Sequence, residues 1–319
     1  MIKKSSLLAL LSVWCFSLVV RAETIATPLS YLVAMSQAQQ QANYEQFYLF
    51  QEGRSLESWR YRHVHWDNQQ YAQLLSLDGS REEFLQQDNL VGYFGDFQPF
   101  SLQTNKILDN RPMVLYGDFN RLEGYSFIDM GKDRIANRVA RQIRIVPKDE
   151  FRYQYRLWID EESKLLLKSE LLDREHNVLE LFRVINLRLD DQLLDMVDAI
   201  RPLILSPMIP SKAPMNSDNL SWQPKWLPRG FRLQSVAREQ LPDGEEVDSQ
   251  LYSDGLFSFT IYLSDSKELP LNEHTWQDGK TTVYTLSLAQ KDLVLVGEIP
   301  LTTAQHILQN IKIKQPLEK

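Results

Sequence analysis

The side chains that most invite a chemical reading are His63 and His65. Two residues apart on an extended segment, they share one face, and paired imidazoles at that spacing can hold a metal ion. A third and fourth ligand at suitable spacing are missing from the sequence, so histidines on or just under a strand surface are the simpler reading. Carboxylate pairs recur at Glu82-Glu83, Glu161-Glu162, Asp190-Asp191 and Glu245-Glu246. Glycoside hydrolysis needs two carboxyls at a defined separation, whereas these pairs cluster in turns or at segment ends, where solvation accounts for them. There is no G-x-S-x-G elbow, no P-loop and no G-x-G-x-x-G. The single cysteine, Cys15, lies in an amino-terminal leader and is lost with it. No catalytic residue, metal or cofactor is expected.

The aromatic residues are more suggestive. Trp59 and Tyr61 share one strand face, and Tyr153, Tyr155 and Leu157 share another. With Phe94 and Phe182 they could line an apolar cavity on a concave sheet, the kind of site that accepts a lipid. In the last hundred residues Trp226, Phe231, Tyr252, Phe257 and Phe259 are candidates for contact with a protein partner, with ordinary core packing as the alternative. Arg54, Arg60, Arg62, Arg134, Arg138, Arg141 and Arg144 are available for an anionic head group, though solvated arginines on outward strand faces are the favoured reading.

These residues need elements to position them. Lys3 and Lys4 precede an apolar run, Leu7 to Val20, and Val20-Arg21-Ala22 offers small residues for signal cleavage after Ala22. The run falls short of the ~20 residues that span a bilayer, so residues 1–22 are read as a cleavable leader and the chain as exported to the periplasm. Thr27-Pro28 then resembles an N-cap and first helical residue. From Asn43 the period changes to two, and segments with strand character follow at Tyr44–Phe50, Glu57–Trp66, Tyr71–Leu77, Arg81–Gln86 and Leu90–Phe94.

Pro99 to Ala140 alternates poorly and reads as a loop-rich insertion or lid, with short helices at Arg111–Tyr116 and Phe119–Leu122. Strands resume at Arg141–Val146, Arg152–Ile159, Leu165–Leu172 and Val178–Leu189, and a short helix follows at Asp191–Ile200. About nine strands in a curved antiparallel sheet, with a helix on its concave side, fit this order. Pro202, Pro207, Pro210 and Pro214 mark residues 201–219 as a linker. Residues 220–319 read as a smaller α+β domain ending in a helix at about Thr302–Ile313, opened by a Thr302/Gln305 capping box.

Formal net charge is −7 and becomes more negative once the basic leader is removed, which argues against a general nucleic-acid binder. A hydrophobic content of 43% allows a sizeable core, which must hold the mature chain together without disulfides. A homo-oligomer is compatible with this composition.

Ordered blocks of sequence resemble the RseB/MucB family. In the first domain they are Glu57-Ser58-Trp59-Arg60-Tyr61-Arg62-His63, Asp118-Phe119-Asn120-Arg121-Leu122, Trp158-Ile159-Asp160 and Leu171-Leu172-Asp173-Arg174. In the second they are Trp226-Leu227-Pro228-Arg229-Gly230-Phe231, Leu251-Tyr252-Ser253-Asp254-Gly255-Leu256-Phe257 and Val296-Gly297-Glu298-Ile299-Pro300. The resemblance implies a half-open β-barrel like that of the lipoprotein carriers LolA and LolB over residues 23–200, followed by a smaller domain that binds an anti-sigma factor. It also implies a periplasmic regulator of the sigma-E envelope-stress response. Such a protein binds the periplasmic part of RseA, shields it from the protease DegS, and yields to lipopolysaccharide or a related acylated ligand. The rival expectation is a periplasmic lipid or lipoprotein carrier of the LolA/LolB type, against which the second domain argues.

Overall fold

The computed structural model describes residues 26–107, 109–190, 193–205, 207–209, 221–240, 244, 246–266, 272–288 and 290–313. The leader and most of the proline-rich linker lie outside the described residues.

Helix α1 (Pro28–Gln41) begins where Thr27-Pro28 predicts. Thr27 is extended, its Oγ1 accepts the Ser30 amide at 3.1 Å, and Pro28 has no N–H to leave unsatisfied. Eleven strands follow: β1 (Tyr44–Glu52), β2 (Ser55–Trp66), β3 (Gln69–Ser76), β4 (Glu83–Gln87), β5 (Leu90–Phe94), β6 (Phe100–Gln103), β7 (Tyr125–Ile135), β8 (Arg138–Pro147), β9 (Gln154–Asp160), β10 (Leu166–Leu172) and β11 (Val178–Leu189). They form one antiparallel sheet, ordered β6-β5-β4-β3-β2-β1-β11-β10-β9-β8-β7. Two runs of hairpins thus meet where β1 pairs with β11, and the sheet stays open because β6 and β7 do not meet. Asp67-Asn68 makes the tight β2–β3 turn with φ of 50° and 59°, the left-handed pair that matches strand twist.

Each face of this sheet is covered differently. One face carries Trp59, Tyr61, Tyr155 and Phe182, and packs against Leu32 and Met35 of α1 and against Ile107, Val114, Leu115 and Phe119 of the β6–β7 connection. The other carries Val64, Tyr71 and Leu85 under α2 (Leu194–Ile200).

The expected lid is therefore smaller than the sequence suggests. The span Pro99 to Ala140 contains β6, β7 and the start of β8, and its longest described stretch outside strands is residues 109–124, with one 3-10 turn at Met113–Tyr116. Phe119–Leu122 forms a turn and not a helix. Strand β7 escaped because it is an edge: only Tyr125 and Ile135 at its ends are buried, Ile128 and Met130 face solvent, and a register shift at Asp129/Gly131 breaks the alternation.

A second, six-stranded antiparallel sheet follows. Its strands come in the order β13-β14-β15-β18-β17-β16, and β12 (Trp222–Pro224) pairs separately with β19 (Ile311–Ile313). The others are β13 (Arg232–Gln240), β14 (Glu246–Ser253), β15 (Ser258–Asp265), β16 (His274–Asp278), β17 (Thr281–Leu288) and β18 (Lys291–Gly297). Helix α3 (Leu301–Gln309) buries Ala304, Ile307 and Leu308 as its stripe predicts. Its N-cap is Pro300 with no side-chain bond, so the Thr302/Gln305 capping box does not form. Strands β12, β16 and β19 went unread because they are three to five residues long, and β16 is exposed throughout.

His63, expected on or just under a strand surface, is fully buried in the core, where its Nδ1 donates to the Ala42 carbonyl at 2.8 Å. Burial pulls its imidazolium down to about 4. The unfolded chain takes up this proton near pH 6.5, so the fold has its full stability above that value and loses it as pH falls towards 4. Urea melts should show a wild-type loss of about 3 kcal/mol between pH 7 and 4 that a His63→Gln variant lacks. Parallel profiles for the two proteins would assign the titration elsewhere.

Candidate binding cavity at the junction of the two sheets

Strand alternation brings most of the predicted aromatic residues to one face. Trp59 and Tyr61 on β2, Tyr155 and Leu157 on β9, and Phe182 on β11 are all buried there. Tyr48 packs on Phe182 with ring centroids 4.7 Å apart. A chain of rings then crosses the sheet: Trp59 to Phe84 at 6.0 Å, Phe84 to Tyr93 at 5.0 Å, and Tyr93 to Phe100 at 4.8 Å. Phe94 is the exception. On β5, Val91 and Tyr93 face this side, so Phe94 falls on the opposite face beside the α2 cluster.

Between this aromatic face and the second sheet lies a cavity of about 530 Å³. Phe50, Phe84, Tyr93, Phe97 and Phe100 supply its aromatic wall, and Lys280 and Glu298 border it from the second domain, whereas Trp59, Tyr61, Tyr153, Tyr155, Leu157 and Phe182 are buried in the packing around it and do not line it. It falls within the ~300–1,000 Å³ range of small-ligand sites.

The structure also joins residues that the sequence assigned to separate sites. Tyr155 stacks on Phe257 of the second domain, with centroids 5.7 Å apart and planes 4° from parallel. Tyr153 meets the same ring edge-on at 6.0 Å, and its hydroxyl donates to the Ile299 carbonyl at 3.0 Å. Phe257 is thus part of the contact between domains. Phe231 and Tyr252 flank Phe259, at 5.2 and 5.3 Å, within the core of the second domain. Trp226 is half-buried, edge-on to Phe151 at 4.6 Å and to His306 at 4.2 Å.

Three buried cations were not anticipated, because burial of a charge leaves no mark in a sequence pattern. Arg152 joins the domains through Asp254 at 3.1 Å, both side chains wholly buried, and also bonds the Glu123 carbonyl and Asp149. Tyr125 completes the group by donating to Asp254 at 2.6 Å. Lys280, in the β16–β17 turn, reaches Glu180 of β11 at 2.6 Å and Glu298 at 3.2 Å. Burial alone would lower the Lys280 ammonium, but Glu180, Glu298 and Glu52 outweigh it and keep the lysine charged. Nearby, Gly279 approaches the Gly53 amide so closely that a Cβ would lie 2.9 Å from it.

Arg111 is the third. Its guanidinium lies 3.5 Å over the Tyr61 ring, within a ring of phenols that includes Tyr44, Tyr48 and Tyr116. Burial pushes these phenols up, Tyr61 to about 12, so none is ionised to neutralise the arginine. All three guanidinium nitrogens are buried without a hydrogen-bond partner.

Among the described residues no group of three or more His, Cys, Asp or Glu side chains is placed to hold a metal. The architecture is an open antiparallel sheet with an aromatic face, docked on a smaller α+β domain. Comparison with known proteins then settles the family: residues 27–207 match the MucB/RseB N-terminal domain and residues 216–312 the MucB/RseB C-terminal domain, so the chain belongs to the MucB/RseB family. The chain is 43% identical to the Sigma-E factor regulatory protein RseB of Haemophilus influenzae, over 88% of this chain and 89% of that one. With the Escherichia coli K12 protein of that name it shares 39% identity, covering 93% and 94% of the two. The fold is similar to that of a solved complex of Pseudomonas aeruginosa MucA and MucB, with a TM-score of 0.73 and 22% identity over 91% of this chain and 99% of that chain.

Replacing Asp254 with alanine strands Arg152 in the domain contact with only Asp149 as a charged partner. Breaking a buried pair typically costs 3–5 kcal/mol, and a loss near ~3 kcal/mol is expected here, visible by calorimetry as a lower melting temperature. An unchanged melt would remove this pair from the forces that dock the domains.

Proposed function

We propose that this chain is an exported, non-enzymatic regulator that binds the periplasmic domain of an RseA-type anti-sigma factor. Bound, it shields that domain from site-1 proteolysis by DegS; lipopolysaccharide or a related acylated ligand relieves the protection. The family to which the chain belongs supports this reading, as do relatives named for sigma-E regulation. A MucB protein of the same fold has been solved with MucA. The leader read at residues 1–22 supports a periplasmic location, and no described helix is long and apolar enough to cross a membrane.

The observation that carries the mechanism is the Tyr155–Phe257 stack. The aromatic face proposed to take acyl chains is the same face on which the second domain docks. A ligand entering between them works against docking, and it shifts the arrangement only by its difference in affinity for the two states. Each buried methylene contributes ~0.8 kcal/mol, so a few methylenes that bind only the parted form suffice to offset one ring stack of ~0.5–1.5 kcal/mol. Trp59, Tyr61, Tyr155 and Phe182 are the proposed lipid contacts. Trp226, half-buried, is the expected second-domain residue left most accessible to a partner, whereas Phe257 is covered in the docked form.

Calorimetric titration of residues 23–319 with the periplasmic domain of the host's anti-sigma factor, with and without lipopolysaccharide, is the test. Tight binding weakened by the lipid is expected. Folded protein that binds lipid but never the anti-sigma domain would be a carrier and would end the regulator reading. A Tyr155→Ala variant should alter lipid affinity several-fold while remaining folded.

A further inference from the structure

The cavity holds one feature that acyl-chain burial does not explain. Arg111 is 1% exposed, carries a full charge, and presents three nitrogens with no acceptor, although it lines a cavity of about 530 Å³. Leaving a buried charged donor without an anionic partner is expensive, and the surrounding phenols offer the face of Tyr61 and the neutral hydroxyls of Tyr44, Tyr48 and Tyr116 but no counter-charge. Lys280, the other cation on the wall, is already held by Glu180 and Glu298. The Arg111 guanidinium is a planar fork suited to an oxyanion. Beyond it, Phe50, Phe84, Tyr93, Phe97 and Phe100 form the apolar remainder of the wall.

Two further observations narrow the ligand. Glu52, Glu82, Asp109 and Glu298 also face the cavity, so negative charge is opposed everywhere in it except at Arg111, and the further phosphates and chains of a lipopolysaccharide would have to lie outside it. The volume suits one chain better than a multi-chain lipid. We propose that Arg111 anchors the head of a single-chain, singly charged amphiphile, a fatty carboxylate or a phosphodiester lysolipid, whose tail lies along the aromatic wall. The inference rests on the reading of this cavity as an acyl-chain site, and adds to it a polarity: the charged end goes in first, towards Tyr61.

The test uses the mature chain, residues 23–319, and three probes below their micellar concentrations: tetradecanoate, tetradecanoyl lysophosphatidylglycerol and neutral tetradecanol. Calorimetry should show at least one anionic probe binding tenfold or more tighter than the alcohol, and Arg111→Met should abolish that preference while keeping alcohol affinity. The stronger of the two anions identifies the head group. Equal affinity for alcohol and anions, or a preference that survives in Arg111→Met, overturns the anchor and leaves the acyl cavity standing. No binding of any probe overturns both. Should Arg111→Met fail to fold, carbon-13 NMR titration of carboxyl-labelled tetradecanoate on the wild type decides: the bound carboxyl should titrate below its free value, and an unchanged or raised value sinks the proposal.

Discussion

An open sheet with a concave aromatic face cannot be left uncovered in water, and much of this structure follows from that constraint. Closing the sheet would require β6 and β7 to pair, but the connection between them is spent on the concave side, where Ile107, Val114, Leu115 and Phe119 pack beside α1. The helix and this connection fill one part of the face. The second domain covers another, through Phe257 on Tyr153 and Tyr155. What remains is the cavity, bounded by rings from one domain and by Lys280 and Glu298 from the other. The site is thus the part of the face that the fold leaves unfilled.

The contact between domains is unusually polar for a surface so well buried. Arg152–Asp254 and Lys280–Glu180 are both buried pairs, and such pairs contribute little net stability relative to apolar substitutes because desolvation offsets most of their attraction. Their effect is directional. A hydrophobic contact tolerates sliding, whereas a buried arginine that must meet Asp254, the Glu123 carbonyl and Asp149 together allows one register. The close approach of Gly279 to Gly53 works in the same sense, since no side chain fits between those turns. Once the domains part, each charge can be solvated, so opening costs less than the buried geometry suggests. Docking of this kind specifies an arrangement without making it irreversible.

The hairpins were legible where one face is buried and the other is wet. Segments such as Glu57–Trp66 alternate cleanly, and Asp67-Asn68 announces its turn. The first helix was legible from Thr27-Pro28 because a cap is a local interaction. Edge strands β7 and β16 were not, since an exposed strand has no apolar stripe to display. Among the aromatic residues, strand parity alone puts Trp59 with Tyr61 and Tyr155 with Leu157, but it cannot say which of two adjacent β5 residues faces inward, and Tyr93 takes that side while Phe94 takes the other. That Tyr155 and Phe257 meet was beyond reach, because each reads as apolar and only the docking of two sheets brings them together.

The buried charges show most clearly how function could enter such a fold. Arg152 and Lys280 have partners on the other domain, so their energetics reward the docked state. Arg111 has none, and among phenols that stay neutral it meets the face of Tyr61 and uncharged hydroxyls but no carboxylate. A residue tolerated at that cost stores free energy that an incoming anion can release, which makes the concave face more receptive to charged amphiphiles than its aromatic walls alone would suggest. The same anion would add its charge beside Glu52 and Glu298, the carboxylates that help keep Lys280 charged and in place. On the proposed reading, an occupied cavity would be coupled electrostatically to the lysine that ties the second domain to β11. Ligand chemistry and domain docking meet in one cluster of side chains, and a change in either is felt by the other.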